Sequence, residues 1–225
     1  MTRELPSKIG PYRIVRRLGE GGMGVVYEAV NDDIERRVAI KCLNQQYAAD
    51  EEATRRFFNE ARAANRINHP SIVQISDYST GAGGSPYIVM EFLAGKTLAC
   101  ILQDSSATLA QSNVLAIAWQ IATALAAAHE KGIIHRDIKP ENIMLVADPG
   151  APGRQRVKIL DFGVAKLASS NASKTGASVI MGTPRYMSPE QCKGSGQVDD
   201  RADCYSLGVM LFEMLSGRLP FLGEG

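Results

Sequence analysis

Short runs rich in Val, Ile and Tyr open the chain, from Tyr12 to Val30 and again from Arg37 to Leu43, punctuated by glycines and by Asn31-Asp32-Asp33. β-branched and aromatic residues broken by turn formers predict antiparallel strands. From Glu51 to Ile67 the period lengthens: Phe57, Ala61, Ala64 and Ile67 recur at helical spacing, which predicts one helix within a β-rich region. Strands are expected again around Ile72 to Tyr78 and Tyr87 to Phe92, separated by a turn from Gly81 to Pro86.

After Ala94-Gly95 the pattern changes to long apolar helices. One is expected from about Val114 to Glu130, ended by Lys131-Gly132 in the order typical of a helix C-terminus. Another, about Arg201 to Leu215, is apolar almost all round and closes at Gly217 with Pro220 beyond, which predicts a helix buried at the centre of its lobe. The stretches Ala147 to Gln155 and Ala168 to Ser178 read as loops.

A chain of 225 residues with 45% hydrophobic content can bury a substantial core, which excludes a disordered class. The net charge of +1 provides no basic field for nucleic acid, so no nucleic-acid partner is expected and partners must be read from local sites. Cys42, Cys100, Cys192 and Cys204 are scattered without a C-x-x-C pair, which argues against a zinc site or a disulfide framework and for a reducing, cytoplasmic setting. Met1 to Gly10 lacks the apolar stretch of a signal peptide, and Gln120 and Glu213 interrupt the greasiest segments, so no membrane segment is expected.

Candidate chemistry begins at Gly19-Glu20-Gly21-Gly22-Met23-Gly24, where glycines let backbone amides close on a polyphosphate. Alone the spacing is weak, and a flexible hairpin turn explains it equally well. Val25, Val26 and Tyr27 follow, so the loop joins two strands and does not open a helix, against a dinucleotide fold or a Walker-type loop. In Val38-Ala39-Ile40-Lys41 the strand period puts Ala39 and Lys41 on one face. A lysine there either reaches solvent from an edge strand or finds a carboxylate. Glu60 lies between Phe57 and Ala64 on the apolar face of the predicted helix, where a lone carboxylate is costly to desolvate, so it is expected to pair with Lys41. Such a pair would break if the helix swung outward, making the helix a switch element.

Two further segments are decisive in combination: His135-Arg136-Asp137-Ile138-Lys139-Pro140-Glu141-Asn142 and Asp161-Phe162-Gly163. Gly182-Thr183-Pro184-Arg185-Tyr186-Met187-Ser188-Pro189-Glu190 completes the ordered set. From Ile9 to Phe221 the chain resembles the protein kinase family, and most the bacterial Hanks-type serine/threonine kinases.

The resemblance implies an α+β, bilobal fold: an extension over 1–11, a β-rich N-lobe with one regulatory helix and the hinge over 12–93, and a mainly α-helical, incomplete C-lobe over 94–225. It implies transfer of the ATP γ-phosphoryl group to protein Ser/Thr hydroxyls, with magnesium, or manganese in its place. Gly19, Gly21 and Gly24 would fold over the phosphates, and Lys41, held by Glu60, would contact them. Val26, Ala39 and Met144 would form the adenine slot, with Met90 at its back, Glu91 to Leu93 as hinge and Leu18 also binding the nucleotide. Asn142 and Asp161 would ligate the metal. Asp137 would serve as the catalytic carboxylate and Lys139 would stabilise the moving phosphoryl charge. Asp203 would receive hydrogen bonds from the catalytic-loop backbone, while His135 and Phe162 read as packing residues.

Ser169, Ser170, Ser173, Thr175 and Ser178 offer autophosphorylation sites, Thr175 first, with Arg136 as the receiving cation and self-association as the route in trans. Family members continue for several helices beyond the position of Gly225, and those helices would supply an Arg partner for Glu190. Without them apolar surface is expected to be exposed. Two rival readings stand beside the enzyme: a non-catalytic nucleotide-binding or interaction module, and a phosphotransferase acting on small molecules.

Overall fold

The computed structural model describes residues 5–81, 85–104, 109–162, 184–193 and 198–221. They divide into two compact units: residues up to Asn65 with Val73–Leu93, and Arg66–Ile72 with the chain from Ala94 onward.

The first unit is built on an antiparallel sheet. Its strands are β1 (Lys8–Ile9), β2 (Tyr12–Glu20), β3 (Gly24–Asn31), β4 (Arg36–Leu43), β5 (Ile75–Thr80) and β6 (Pro86–Glu91), in the order β1-β2-β3-β4-β6-β5. A short helix α1 (Gln45–Ala48) leads into α2 (Glu51–Ile67). The Asp50 carboxylate accepts the Glu52 and Ala53 amides at 2.9 and 3.1 Å, and Glu51, Glu52 and Arg66 complement the helix dipole. Sheet alternation then sorts the core. Ala29, Val38, Ile40, Tyr87 and Val89 cluster together. Leu43 and Ile88 instead meet Phe57 and Ala61 of α2, so α2 covers the face that carries Ala39, Lys41 and Leu43.

The second unit carries β7 (Gly95–Thr97), α3 (Leu98–Asp104), α4 (Gln111–His129), β8 (Ile143–Ala147), β9 (Gln155–Ile159), α5 (Pro189–Cys192) and α6 (Arg201–Ser216). A small sheet runs β7-β8-β9. Gln120 ties α4 to it: its Nε2 donates to the Gln155 carbonyl at 3.0 Å, and its Oε1 accepts the Val157 amide at 3.1 Å. Gly132 (φ +68) and Gly217 (φ +71) take the left-handed conformation that ends α4 and α6.

Two expectations change, at Ile72 and in α6. Ile72 does not open β5: it bridges Ile159 in parallel while the Ile159 amide donates to the Ser71 carbonyl at 2.8 Å, so this segment belongs to the second unit. The loop expected from Ala147 to Gln155 is found, joining β8 to β9 and closed by a 3-10 turn at Pro152–Arg154. α6 is buried on one side only; Ala202, Asp203, Ser206, Val209, Met210 and Met214 face inward, whereas Phe212 and Leu215 are exposed. The expected loop from Ala168 to Ser178 lies outside the described residues.

Candidate active site

In the first unit β2 bulges between Arg17 and Gly19, which leaves Leu18 partly exposed at the start of the glycine loop. The three glycines then differ. A Cβ on Gly24 would fall 2.3 Å from the Cys42 carbonyl oxygen, so this glycine is required by the close approach of β3 to β4. Around Gly19 and Gly21 nothing lies within 4 Å, so their lack of a side chain keeps space open. The Gly21 amide donates to the Gly24 carbonyl at 2.8 Å and the Asn44 amide to the Met23 carbonyl at 2.9 Å, which fixes the base of the loop.

Val26 stands opposite Lys41 and Ala39 opposite Met90, so the expected apolar slot residues of this unit share one stretch of sheet. Lys41 Nζ lies 3.4 Å from Glu60 Oε2, both side chains largely buried. Glu91 accepts the Gln74 amide on its carboxylate at 2.8 Å and donates its own amide to the Gln74 carbonyl at 3.0 Å, holding the strand end before Leu93. A pair of cations the motifs did not indicate sits nearby in the sheet: Arg16 and Arg37 reach the buried Glu28 at 2.8 and 2.6 Å, and Arg37 stacks on Phe92 at 4.2 Å. Burial opposes ionisation of Glu28, but the hydrogen bonds from Arg37 and Arg16 outweigh it and hold its carboxyl below the ordinary value.

In the second unit a single buried carboxylate organises the loop that begins at His135. Asp203 of α6 accepts the His135 and Arg136 amides and the His129 ring nitrogen Nε2, each at 2.8 Å. Arg136 adopts φ +65, a strained conformation for a residue with a side chain that costs about 1–3 kcal/mol unless its surroundings enforce it. His135 is fully buried and 4.6 Å from the Phe162 ring. Its Nδ1 accepts the Asp137 amide at 3.2 Å, so its Nε2 carries the proton donated to the Leu160 carbonyl at 3.0 Å. Burial lowers its pKa, so the ring is a neutral structural link, in keeping with the packing role.

Asp137 is held from two sides. Lys139 Nζ lies 3.2 Å from its Oδ2, and Asn142 Nδ2 donates to that oxygen at 3.1 Å and to the Asp137 carbonyl at 2.8 Å. The Asn142 amide nitrogen is thereby used, which leaves Oδ1 as its acceptor end. The Leu160 amide donates to the Asn142 carbonyl at 2.8 Å and draws Asp161 to the same loop. Asp161 is exposed, with φ +44. Met144 projects from β8, opposite Lys158 of β9.

Residues 12–225 match the protein kinase domain family. The chain belongs to the protein kinase family. Among its relatives, the serine/threonine-protein kinase Pkn1 of Myxococcus xanthus is 48% identical over 97% of this chain and 30% of its own length. The serine/threonine-protein kinase PknA of Mycobacterium tuberculosis is 40% identical over 96% of this chain and 49% of its own length. The crystal structure of the Mycobacterium tuberculosis PknI kinase domain aligns with a TM-score of 0.72 at 32% identity, covering 97% of this chain and 80% of that one. The α+β protein kinase fold is therefore shared, and family membership implies ATP and a divalent metal ion. The chain spans under half the length of these full-length relatives.

Several participants of the kinase domain escaped the motifs. His129 could be located only once the chain folds, because nothing in sequence links it to Asp203. Tyr186 stands within the Gly182 to Glu190 motif but carried no role of its own there; its hydroxyl donates to Glu213 at 2.6 Å and joins the 184–193 segment to α6. Burial and that carboxylate raise the tyrosine pKa well above its ordinary value. Gln191 did carry a signal: Ser188-x-x-Gln191 is a capping-box pattern. Gly163, Gly182, Thr183 and the five candidate phosphorylation sites lie outside the described residues.

Proposed function

We propose that this domain transfers the γ-phosphoryl group of ATP to Ser and Thr hydroxyls of proteins. The observation that carries the reading is the Asp137 carboxylate fixed between the Lys139 ammonium and the Asn142 amide, on a backbone pinned to buried Asp203. In the transfer, the substrate oxygen bonds to the γ-phosphorus as the bond to the leaving ADP oxygen breaks. Asp137 orients the hydroxyl and takes its proton. Lys139 faces the charge that develops on the transferred oxygens, where a fixed cation stabilises the transition state more than the ground state. Lys41, held by Glu60, contacts the α and β phosphates, and Gly19 and Gly21 leave room for the loop to close on them. Leu18, Val26, Ala39, Met90 and Met144 hold the adenine, with Glu91 and Leu93 as its hinge.

The donor set suits a hard cation. Asn142 offers an amide oxygen and Asp161 a carboxylate, and among the described residues no group of three or more His, Cys, Asp or Glu gathers to cage a softer metal. Two protein oxygens supplemented by phosphate and water fit magnesium, with manganese as a substitute. When bound, the ion neutralises phosphate charge.

Autophosphorylation belongs to the same reading. Arg136 Nε is buried with no hydrogen-bond acceptor among the described residues, and a phosphate on Thr175, delivered by a second copy of the chain, would supply one. Phosphopeptide mapping of active protein tests this, and an unmodified 163–182 segment rejects it. A cytoplasmic setting agrees with four unpaired cysteines, and among the described residues no helix is long and apolar enough to cross a membrane.

The decisive experiment is label transfer from γ-labelled ATP to an unstructured Ser/Thr-rich protein, beside small-molecule alcohols, with wild type, Asp137→Asn and Asp161→Asn. Transfer to protein by wild type alone is expected. Nucleotide binding without transfer identifies a binding module, and transfer to alcohols alone identifies a small-molecule phosphotransferase.

A further inference from the structure

We infer that Gln191 is a positioning residue for Asp137, an inference that rests on the kinase reading above. Gln191 belongs to α5, immediately after Pro189-Glu190. Its Oε1 accepts the Ser188 amide at 3.1 Å, while its Nε2 donates to the Arg136 carbonyl at 2.9 Å, 55 residues away in the chain.

That second bond falls on a sensitive peptide. The unit joining Arg136 to Asp137 has its carbonyl held by Gln191 and its N–H held by His135 Nδ1 at 3.2 Å. The residue before it stands at φ +65, and its own amide is fixed by Asp203 at 2.8 Å. A left-handed residue with a side chain persists only where its flanking peptides are over-determined. Asp203 fixes the peptide before Arg136, and Gln191 fixes the peptide after it. The orientation of the second peptide sets the direction in which the Asp137 side chain leaves the backbone.

Gln191 also differs from the other anchors in origin. Asp203 comes from α6 and His135 from the loop itself, whereas Gln191 comes from the 184–193 segment. Together with Tyr186 and Met187 of that segment, Asp137 and Lys139 line one surface depression. The wall facing a peptide acceptor and the carboxylate that orients its hydroxyl are therefore linked through one side-chain amide. A shift of the 184–193 segment by an ångström would break the bond and release the strained peptide, lowering turnover while nucleotide affinity stays the same.

A helix-capping role alone would need only the Ser188 contact, and Gln191→Glu separates the two roles. Glutamate matches the size and keeps an oxygen for the Ser188 amide, but when ionised it sets a carboxylate against the Arg136 carbonyl. Wild type, Gln191→Glu and Gln191→Ala are compared in the full chain by thermal melting, steady-state transfer and amide exchange of 15N-labelled protein. For Gln191→Glu the expected result is a kcat lower by about tenfold or more, KM for ATP within about twofold, a melting temperature lower by no more than about 4 °C, and faster exchange of the Asp137 amide. Wild-type kcat and exchange in Gln191→Glu overturn the inference. So does a loss of kcat and of melting temperature confined to Gln191→Ala, with Gln191→Glu at wild-type values, which is the signature of a cap alone. If wild type itself transfers nothing, the kinase reading fails, and the Asp137 exchange rate still decides whether Gln191 holds that peptide.

Discussion

Replacing Asp203 by Asn tests how the catalytic loop is held. The wild-type carboxylate is fully buried and accepts three hydrogen bonds of 2.8 Å, two on Oδ2 from the His135 amide and the His129 ring, and one on Oδ1 from the Arg136 amide. Asparagine keeps a single oxygen. Turned to serve the two Oδ2 donors, it presents its NH2 to the Arg136 amide; turned the other way, it strands two donors. The first arrangement is the cheaper, and it leaves one buried N–H without an acceptor at about 1–3 kcal/mol. The two surviving bonds fall from charge-assisted to neutral strength, a further loss of about 1 kcal/mol each. The total, roughly 3–5 kcal/mol, matches the usual cost of breaking a buried ionic partnership. At about 2–4 °C per kcal/mol for a chain of this size, even the lower figure shifts Tm by about 6–12 °C. Circular dichroism melting measures it, and the transfer assay should show kcat reduced at least about tenfold, since the freed amide belongs to the strained residue before Asp137. A Tm within about 2 °C of wild type together with normal turnover would refute the reasoning.

Three other outcomes are expected. Lys41→Ala removes the partner of Glu60 and should lower kcat by roughly 100-fold or more, the scale of losing one transition-state electrostatic contact, with label transfer as the readout. Gly24→Ala should cost about 1–3 kcal/mol in denaturant unfolding because its Cβ meets the Cys42 carbonyl, whereas Gly21→Ala, with open space around it, should keep its stability and raise KM for ATP. Glu28 has a carboxyl pKa depressed below its ordinary 4.5, so its stabilisation is complete above that pH and disappears as pH falls through the lower folded value. Glu28→Gln removes that titration, and its acid-unfolding curve should be shallower than that of wild type; an identical acid limb would contradict the Arg16–Glu28–Arg37 assignment.

Local chemistry was legible wherever neighbours in sequence settle the outcome. The helix Glu51–Ile67 could be read to its ends because its apolar period and its acidic first turn lie within one window, and the strand alternation around Lys41 already placed Ala39 and Lys41 together. The Lys41–Glu60 pair followed from desolvation, since a carboxylate on an apolar helix face needs a cation. The ordered motifs of the kinase family could likewise be read without coordinates.

Other features depend on groups that meet only after folding. His129 and Asp203 are 74 residues apart and Gln191 and Arg136 are 55, and neither pair has a periodic signature that could connect them. Gly24 looked like its neighbours Gly19 and Gly21 until the register of β3 against β4 set a carbonyl where its side chain would be. Ile72 looked like the start of a strand, yet its backbone found its partner at Ile159. Sequence determines each residue's own conformational preference and polarity; which distant backbone group satisfies a buried donor or acceptor is decided by tertiary packing, because that requirement arises only once water has been excluded.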